Sequence, residues 1–94
     1  MRSIGIIGLG LMGSSMGLAL KKYNNEIEIF GRDINREHIK YALNNQIIDR
    51  ILKNNDIENL DIIFIAVPVM KVVKVVNEIY TFINKSNTLI TDMG

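Results

Sequence analysis

The chain alternates short apolar runs with stretches of helical periodicity. Ser3 to Ile7 is an Ile-rich run of strand length. Leu11 to Tyr23 is helical in spacing and closes on Lys21 and Lys22, cations suited to a helix C-terminus. Asn24-Asn25 marks a turn, and Ile27 to Phe30 a second strand. Asn35 can cap a helix over Arg36 to Asn44, with Ile39, Ala42 and Leu43 on one face. Arg50 to Leu52 reads as a weak third strand, Lys53 to Asp56 as a polar loop, and Ile57 to Leu60 as one helical turn. Ile62 to Val67 has no polar alternation, the pattern of a central parallel strand buried on both faces. Val69, Val72, Val73, Val76, Ile79, Tyr80 and Ile83 then recur at helical spacing. Their β-branching opposes a helix locally, while the period and length favour one. Thr88 to Thr91 is a fifth strand. Strands alternating with helices predict an α/β domain, a parallel five-stranded sheet in the order 3-2-1-4-5 with helices on both faces.

Between the first strand and the first helix stands Gly8-Leu9-Gly10-Leu11-Met12-Gly13, a G-x-G-x-x-G. Its context, at a strand exit and a helix entrance, is that of the dinucleotide-binding Rossmann fingerprint. Gly8 permits the tight turn, Gly10 lacks a side chain where a pyrophosphate approaches the backbone, and Gly13 lets the helix pack close to the strand. Gly17, one turn on, prolongs that close face. The pyrophosphate is expected on the free N–H groups of the helix start. About twenty residues further on, the fingerprint expects a carboxylate on the ribose 2′-OH. Asp33 stands there, after the second strand, and its charge would repel a 2′-phosphate. Arg32 and Arg36 flank it and could instead pair with such a phosphate, yet NAD is expected over NADP. Val67 and Pro68 close the central strand, where exits of parallel strands line the ligand crevice. His38, the sole histidine, is expected on the surface rather than in catalysis, and Ser14 and Ser15 are expected to cap the first helical turn.

Composition narrows the function further. The chain has 94 residues, 48% of them hydrophobic and 22% charged, enough for one small domain over residues 1–94. A net charge of +1 calls for neither nucleic acid nor an anionic membrane. No Cys is present, which excludes disulfides, thiolate metal sites and a Cys nucleophile; no metal site and no catalytic residue stand out. The uncharged stretch from Ser3 to Leu20 is broken by five glycines, against its being a targeting or membrane segment, and the cytoplasm is expected.

The run from Ile6 to Met16, through Gly8-Leu9-Gly10-Leu11-Met12-Gly13-Ser14-Ser15, resembles the opening of prephenate dehydrogenases. Gly31-Arg32-Asp33-Ile34-Asn35, the Ile48-Asp49 pair, Ala66-Val67-Pro68-Val69 and Leu89-Ile90-Thr91-Asp92-Met93-Gly94 keep that family's order and spacing. The resemblance implies NAD-dependent oxidative decarboxylation of prephenate to 4-hydroxyphenylpyruvate in tyrosine biosynthesis. It implies Gly8 to Gly13 on the pyrophosphate, Asp33 on the adenosine ribose, and Ala66 to Pro68 against the middle of the cofactor. It also implies that the family's catalytic His, substrate arginines and helical dimerisation domain lie beyond Gly94, so that the chain is a truncated domain of a homodimeric parent with a small-molecule substrate. Arg32 departs from the family, which commonly has an aromatic there. Two alternatives stay open: a dehydrogenase of the 3-hydroxyisobutyrate or 6-phosphogluconate type, which also opens Gly-Leu-Gly-x-Met-Gly, and a nucleotide-binding module without catalysis. Arogenate in place of prephenate is open as well.

Overall fold

A computed structural model describes residues 3–83 and 89–92. Strand β1 (Ser3–Ile7) leads into helix α1 (Leu11–Tyr23), then β2 (Glu28–Arg32), α2 (Arg36–Asn44) and β3 (Arg50–Ile51). A 3-10 segment over Asn54–Asn59 precedes β4 (Ile62–Ile65). Helix α3 (Val72–Ile79) lies between 3-10 turns at Val69–Lys71 and Tyr80–Phe82, and β5 (Leu89–Asp92) follows. All pairings are parallel, in the order β3-β2-β1-β4-β5. The expected sheet and strand order are thus observed.

Alternation within the central strands divides the core in two, because successive side chains leave opposite faces of the sheet. Ile4, Ile6 and Ile29 face α1 and α2, packing with Ala42, Ile47 and Ile48. Ile7, Ile63 and Ile65 face the other way, onto Leu52, Ile57, Leu60 and Ile79 of α3. Helices therefore cover both faces, as expected.

Several boundaries differ from the sequence reading: β3 ends at Ile51, β4 at Ile65 rather than Val67, and β5 runs on to Asp92, and three further differences have a visible cause. Strand β2 starts one residue later and runs on through Gly31-Arg32, because pairing with β1 continues to Ile7↔Arg32. The Lys53–Asp56 loop is largely 3-10: Asp56 donates its N–H to the Lys53 carbonyl and accepts the Lys53 N–H on its carboxylate. The long third helix is α-helical only over Val72–Ile79, so the β-branched run shortens the regular helix to its middle. Its stripe also splits. Val72, Val75 and Val76 pack inward with Ile79, whereas Val69, Val73 and Tyr80 stay exposed. Gly17 makes its close approach mainly to Ile47 rather than to β1. Of the fifth strand and the final resemblance element, Thr88, Met93 and Gly94 lie outside the described residues.

The two ends of the sheet are finished differently. At the strand entrances Asp49 accepts the Ile29 N–H at 2.8 Å and pairs with Lys21, whose ammonium also donates to the Ile27 carbonyl. Lys21 thus ties α1 to the sheet rather than merely facing the helix dipole. Asp61 accepts the Ser3 N–H at 3.1 Å. The strand exits carry the groove described next. Among the described residues no helix is long and apolar enough to cross a membrane, and no group of three or more His, Asp or Glu side chains could hold a metal ion.

Candidate functional site

The chain turns from β1 into α1 through a backbone that only glycine adopts freely. Gly8 sits at φ +102°, and a Cβ there would lie 2.4 Å from the Ala66 carbonyl oxygen. Gly13 is pressed against the same turn, where a Cβ would fall on the Gly8 carbonyl oxygen, so its close approach is to the loop more than to the strand. Gly10 is different. A Cβ at Gly10 would meet no protein atom within 4 Å, so packing of the chain itself does not ask for glycine there. Gly10 is also the N-cap of α1, and no side chain caps that helix. Ser14 donates its hydroxyl to the Leu9 carbonyl at 2.9 Å, bracing the turn as expected of a first-turn Ser.

The β2 exit lies alongside. The Leu9 N–H donates to Asp33 Oδ2 at 2.6 Å, and the Asn35 N–H to Asp33 Oδ1 at 2.8 Å. His38 Nδ1 stands 3.1 Å from Oδ2. Burial pushes the Asp33 carboxyl up, but the N–H groups of Asn35 and Leu9 and the His38 ring together outweigh it and hold the group below its ordinary value. The carboxylate expected to be free for a ligand thus already bridges the glycine loop and the start of α2. Arg32 leans away from it, donating through Nε to the Leu52 carbonyl at 3.2 Å and through Nη2 to Asn54 Oδ1 at 2.8 Å. Loss of water lowers the Arg32 pKa, against the pull of Glu78 and Asp56.

These parts border one groove of about 410 Å³. Gly8 and Gly10 form its floor with Arg32 and Asp33, and Ala66, Val67 and Pro68 from the β4 exit join them. Leu9 is buried behind the groove and contributes its N–H to Asp33. Leu11 and Met12 are exposed on the first turn of α1 and Arg36 on α2, none of them in the lining. Sequence reasoning missed the far wall of the third helical region: Lys71, Lys74 and Glu78 because the stripe counted there held apolar residues only, and Val75 because that stripe passed it over. It also set His38 away from the strand exits. A side chain at the third position of a helix can reach back toward the cap, and that signal would have set His38 toward Asp33. A hollow of about 490 Å³ between Asn55 and Phe82 gathers no glycine turn and no strand exit.

Residues 16–94 match the family described as "Prephenate dehydrogenase, nucleotide-binding domain". The chain belongs to that family. The matched span begins beyond Gly13, so membership does not rest on the glycine fingerprint that many dehydrogenases share. A prephenate dehydrogenase of Lactococcus lactis subsp. cremoris is 42% identical over 96 residues, covering all of this chain and 27% of that protein. The crystal structure of the Aquifex aeolicus prephenate dehydrogenase with hydroxyphenyl propionate and NAD+ superposes at TM-score 0.87 and 28% identity, over 100% of this chain and 34% of that one. A Synechocystis arogenate dehydrogenase shares the fold, at TM-score 0.88 and 20% identity, over 99% of this chain and 33% of that one. The chain thus spans about a quarter to a third of these relatives. Within the family frame, the Ile48-Asp49 pair is architectural: a Cβ on Gly31 would sit 2.7 Å from Ile48, and Asp49 holds the entrance of β2.

Proposed function

We propose that this chain is the NAD-binding domain of a prephenate dehydrogenase, an enzyme that oxidatively decarboxylates prephenate to 4-hydroxyphenylpyruvate. The observation that carries the reading is the contrast at Gly10, a glycine that the chain's own packing leaves open, at the uncapped start of α1 and in the floor of the groove. A pyrophosphate fits that position, because first-turn N–H groups and the positive helix end favour an anion. Leu11, Met12 and Gly13 contribute backbone to that turn. Ala66, Val67 and Pro68 offer an apolar wall to the flat parts of the cofactor, and Asp33 accepts a ribose hydroxyl. NAD, when bound, supplies the hydride acceptor. Prephenate is favoured over arogenate because the 42% identical relative is a prephenate dehydrogenase, whereas the arogenate enzyme is similar in fold alone. By the family resemblance the full-length protein is a cytoplasmic homodimer, which sedimentation of that protein checks.

Asp33 sets the expected cofactor preference. A hydrogen bond to a charged group contributes about 1.5–3 kcal/mol. A 2′-phosphate about 4 Å from the carboxylate would be repelled by about 4 kcal/mol at an effective dielectric near 20, before solvent screening. Arg32 is committed to Leu52 and Asn54, and Arg36 lies outside the groove, so neither is set to offset this. Titration calorimetry is expected to give NAD at least about tenfold tighter binding than NADP, or about 1.4 kcal/mol. Asp33→Ser is expected to narrow or reverse the preference. Equal affinities in the wild type, or a preference unmoved by the substitution, would reduce Asp33 to a turn residue. The chain alone is expected to bind NAD without oxidising prephenate, since its one imidazole is tied to Asp33; steady NADH formation by the purified chain would contradict this.

A further inference from the structure

An ionised carboxylate offers about four acceptor positions, two on each oxygen, and donates nothing. On Asp33, Oδ2 takes the Leu9 N–H and the His38 ring, and Oδ1 takes the Asn35 N–H. Because the carboxylate can only accept, the His38 proton in this contact sits on Nδ1. The Asp33 side chain is 10% exposed, so a ligand reaches it only from the groove, which His38 also lines. A ribose diol carries two hydroxyl donors, and one acceptor position is left for them. The Leu9 and Asn35 N–H groups are backbone and fixed by the turn; the His38 side chain is 45% exposed and can turn away.

We propose that His38 is a specificity-determining residue that competes with the cofactor's ribose for Asp33. By holding one acceptor position on Oδ2 and placing a donor beside the charge, His38 weakens the grip of Asp33 on a ribose diol and softens its repulsion of a 2′-phosphate. His38 is therefore a positioning residue that narrows selectivity between the two dinucleotides. The inference rests on the NAD-binding reading given above.

The test is calorimetric titration of the full chain with NAD and NADP at one fixed pH, for wild type, His38→Ala, His38→Asn, Asp33→Ser and the His38→Ala/Asp33→Ser pair. Freeing one hydrogen bond to a charged acceptor corresponds to roughly tenfold in affinity. His38→Ala is expected to tighten NAD, to weaken NADP, and to widen their ratio by about tenfold. His38→Asn, which keeps an N–H donor near the place of Nδ1, is expected to restore most of the wild-type ratio. In the Asp33→Ser background, His38→Ala is expected to change nothing, since the two act as one unit. NAD binding that weakens in His38→Ala, or a ratio that stays put while Asp33→Ser still moves it, overturns the proposal alone. No effect of Asp33→Ser would reduce Asp33 to a turn residue and overturn this inference alone, whereas no NAD binding by the wild type overturns the cofactor reading and this inference with it. Thermal melts of each variant verify that the substitutions leave the domain folded.

Discussion

Helices α1 and α2 start at the same end of the sheet, after neighbouring strands, and their first turns are opposites. Asn35 caps α2, accepting the Glu37 N–H at 2.9 Å, and Glu37 sets an acidic charge in the first turn. Helix α1 opens on Gly10 with no capping side chain and no acidic residue in its first turn. A capped first turn is complete without a ligand. An uncapped one keeps N–H groups and a partial positive charge for something from outside. The turns that lead into them differ in backbone as well, with a φ of +102° at Gly8 before α1 and no positive φ between β2 and α2. It teaches that the functional end of a helix can be recognised by what its sequence withholds.

Four measurements break or sharpen this contrast. The largest effect is expected from Gly13→Ala, whose methyl would collide with the Gly8 carbonyl oxygen, a backbone atom. Overpacking of this kind costs about 1–3 kcal/mol or more, a large share of a small domain's stability. A melt indistinguishable from wild type would show that the turn yields easily. Gly10→Ala comes next, with a methyl that meets only open space. NAD affinity is expected to fall at least about tenfold while stability changes by only about 0.5 kcal/mol. Calorimetry and a melt on one preparation separate the two, and unchanged NAD affinity would remove Gly10 from the site. Asn35→Ala reverses that outcome, losing about 1 kcal/mol of stability in urea unfolding and less than about threefold in NAD affinity. A large affinity loss would mean that the α2 cap is part of the site.

The smallest effect concerns acid. The folded pKa of Asp33 lies below its ordinary value of about 3.9, so its contribution to stability is complete above that value and is lost as pH falls through the folded pKa. Urea unfolding at pH 5 and pH 3 should show the wild type losing more stability on acidification than Asp33→Asn. Equal losses would mean that the Leu9, Asn35 and His38 contacts do not favour the charged form.

Most of the fold was legible because its signals are local. The α1 boundaries follow from Gly10 and the Lys21-Lys22 end, those of α2 from the Asn35 cap, and β4 from its apolar run, although only Ile63 and Ile65 are buried and the face of Ile62 and Phe64 is half-buried rather than covered as expected. Legibility failed where the decisive partner is distant in sequence. Arg32 turns to Leu52 and Asn54, and Gly17 meets Ile47, and neither spacing announces this. In α3 the apolar period caught Val72, Val76 and Ile79, but it counted Val69, Val73 and Tyr80, which stay exposed, and left out Val75, which packs inward. Motif spacing put Gly8, Gly10 and Asp33 at the groove, the strand exit put Val67 and Pro68 there and the family resemblance Ala66, while Lys71, Lys74 and Glu78 entered it only through the way α3 crosses it.

Strand β1 precedes the other strands of the sheet in the chain and lies at its centre, paired on one edge with β2 and on the other with β4. Parallel neighbours cannot be joined by a hairpin, so each edge waits for a crossover. On the ribosome β1 gains its first partner when Glu28–Arg32 emerges, but Ile4 meets Ile62 only after a further stretch of synthesis. During that interval one edge of an Ile-rich strand stands open, and open apolar edges recruit other chains. The arrangement that builds the groove at the centre of the sheet therefore also makes β1 slow to complete and sets a premium on keeping nascent copies apart.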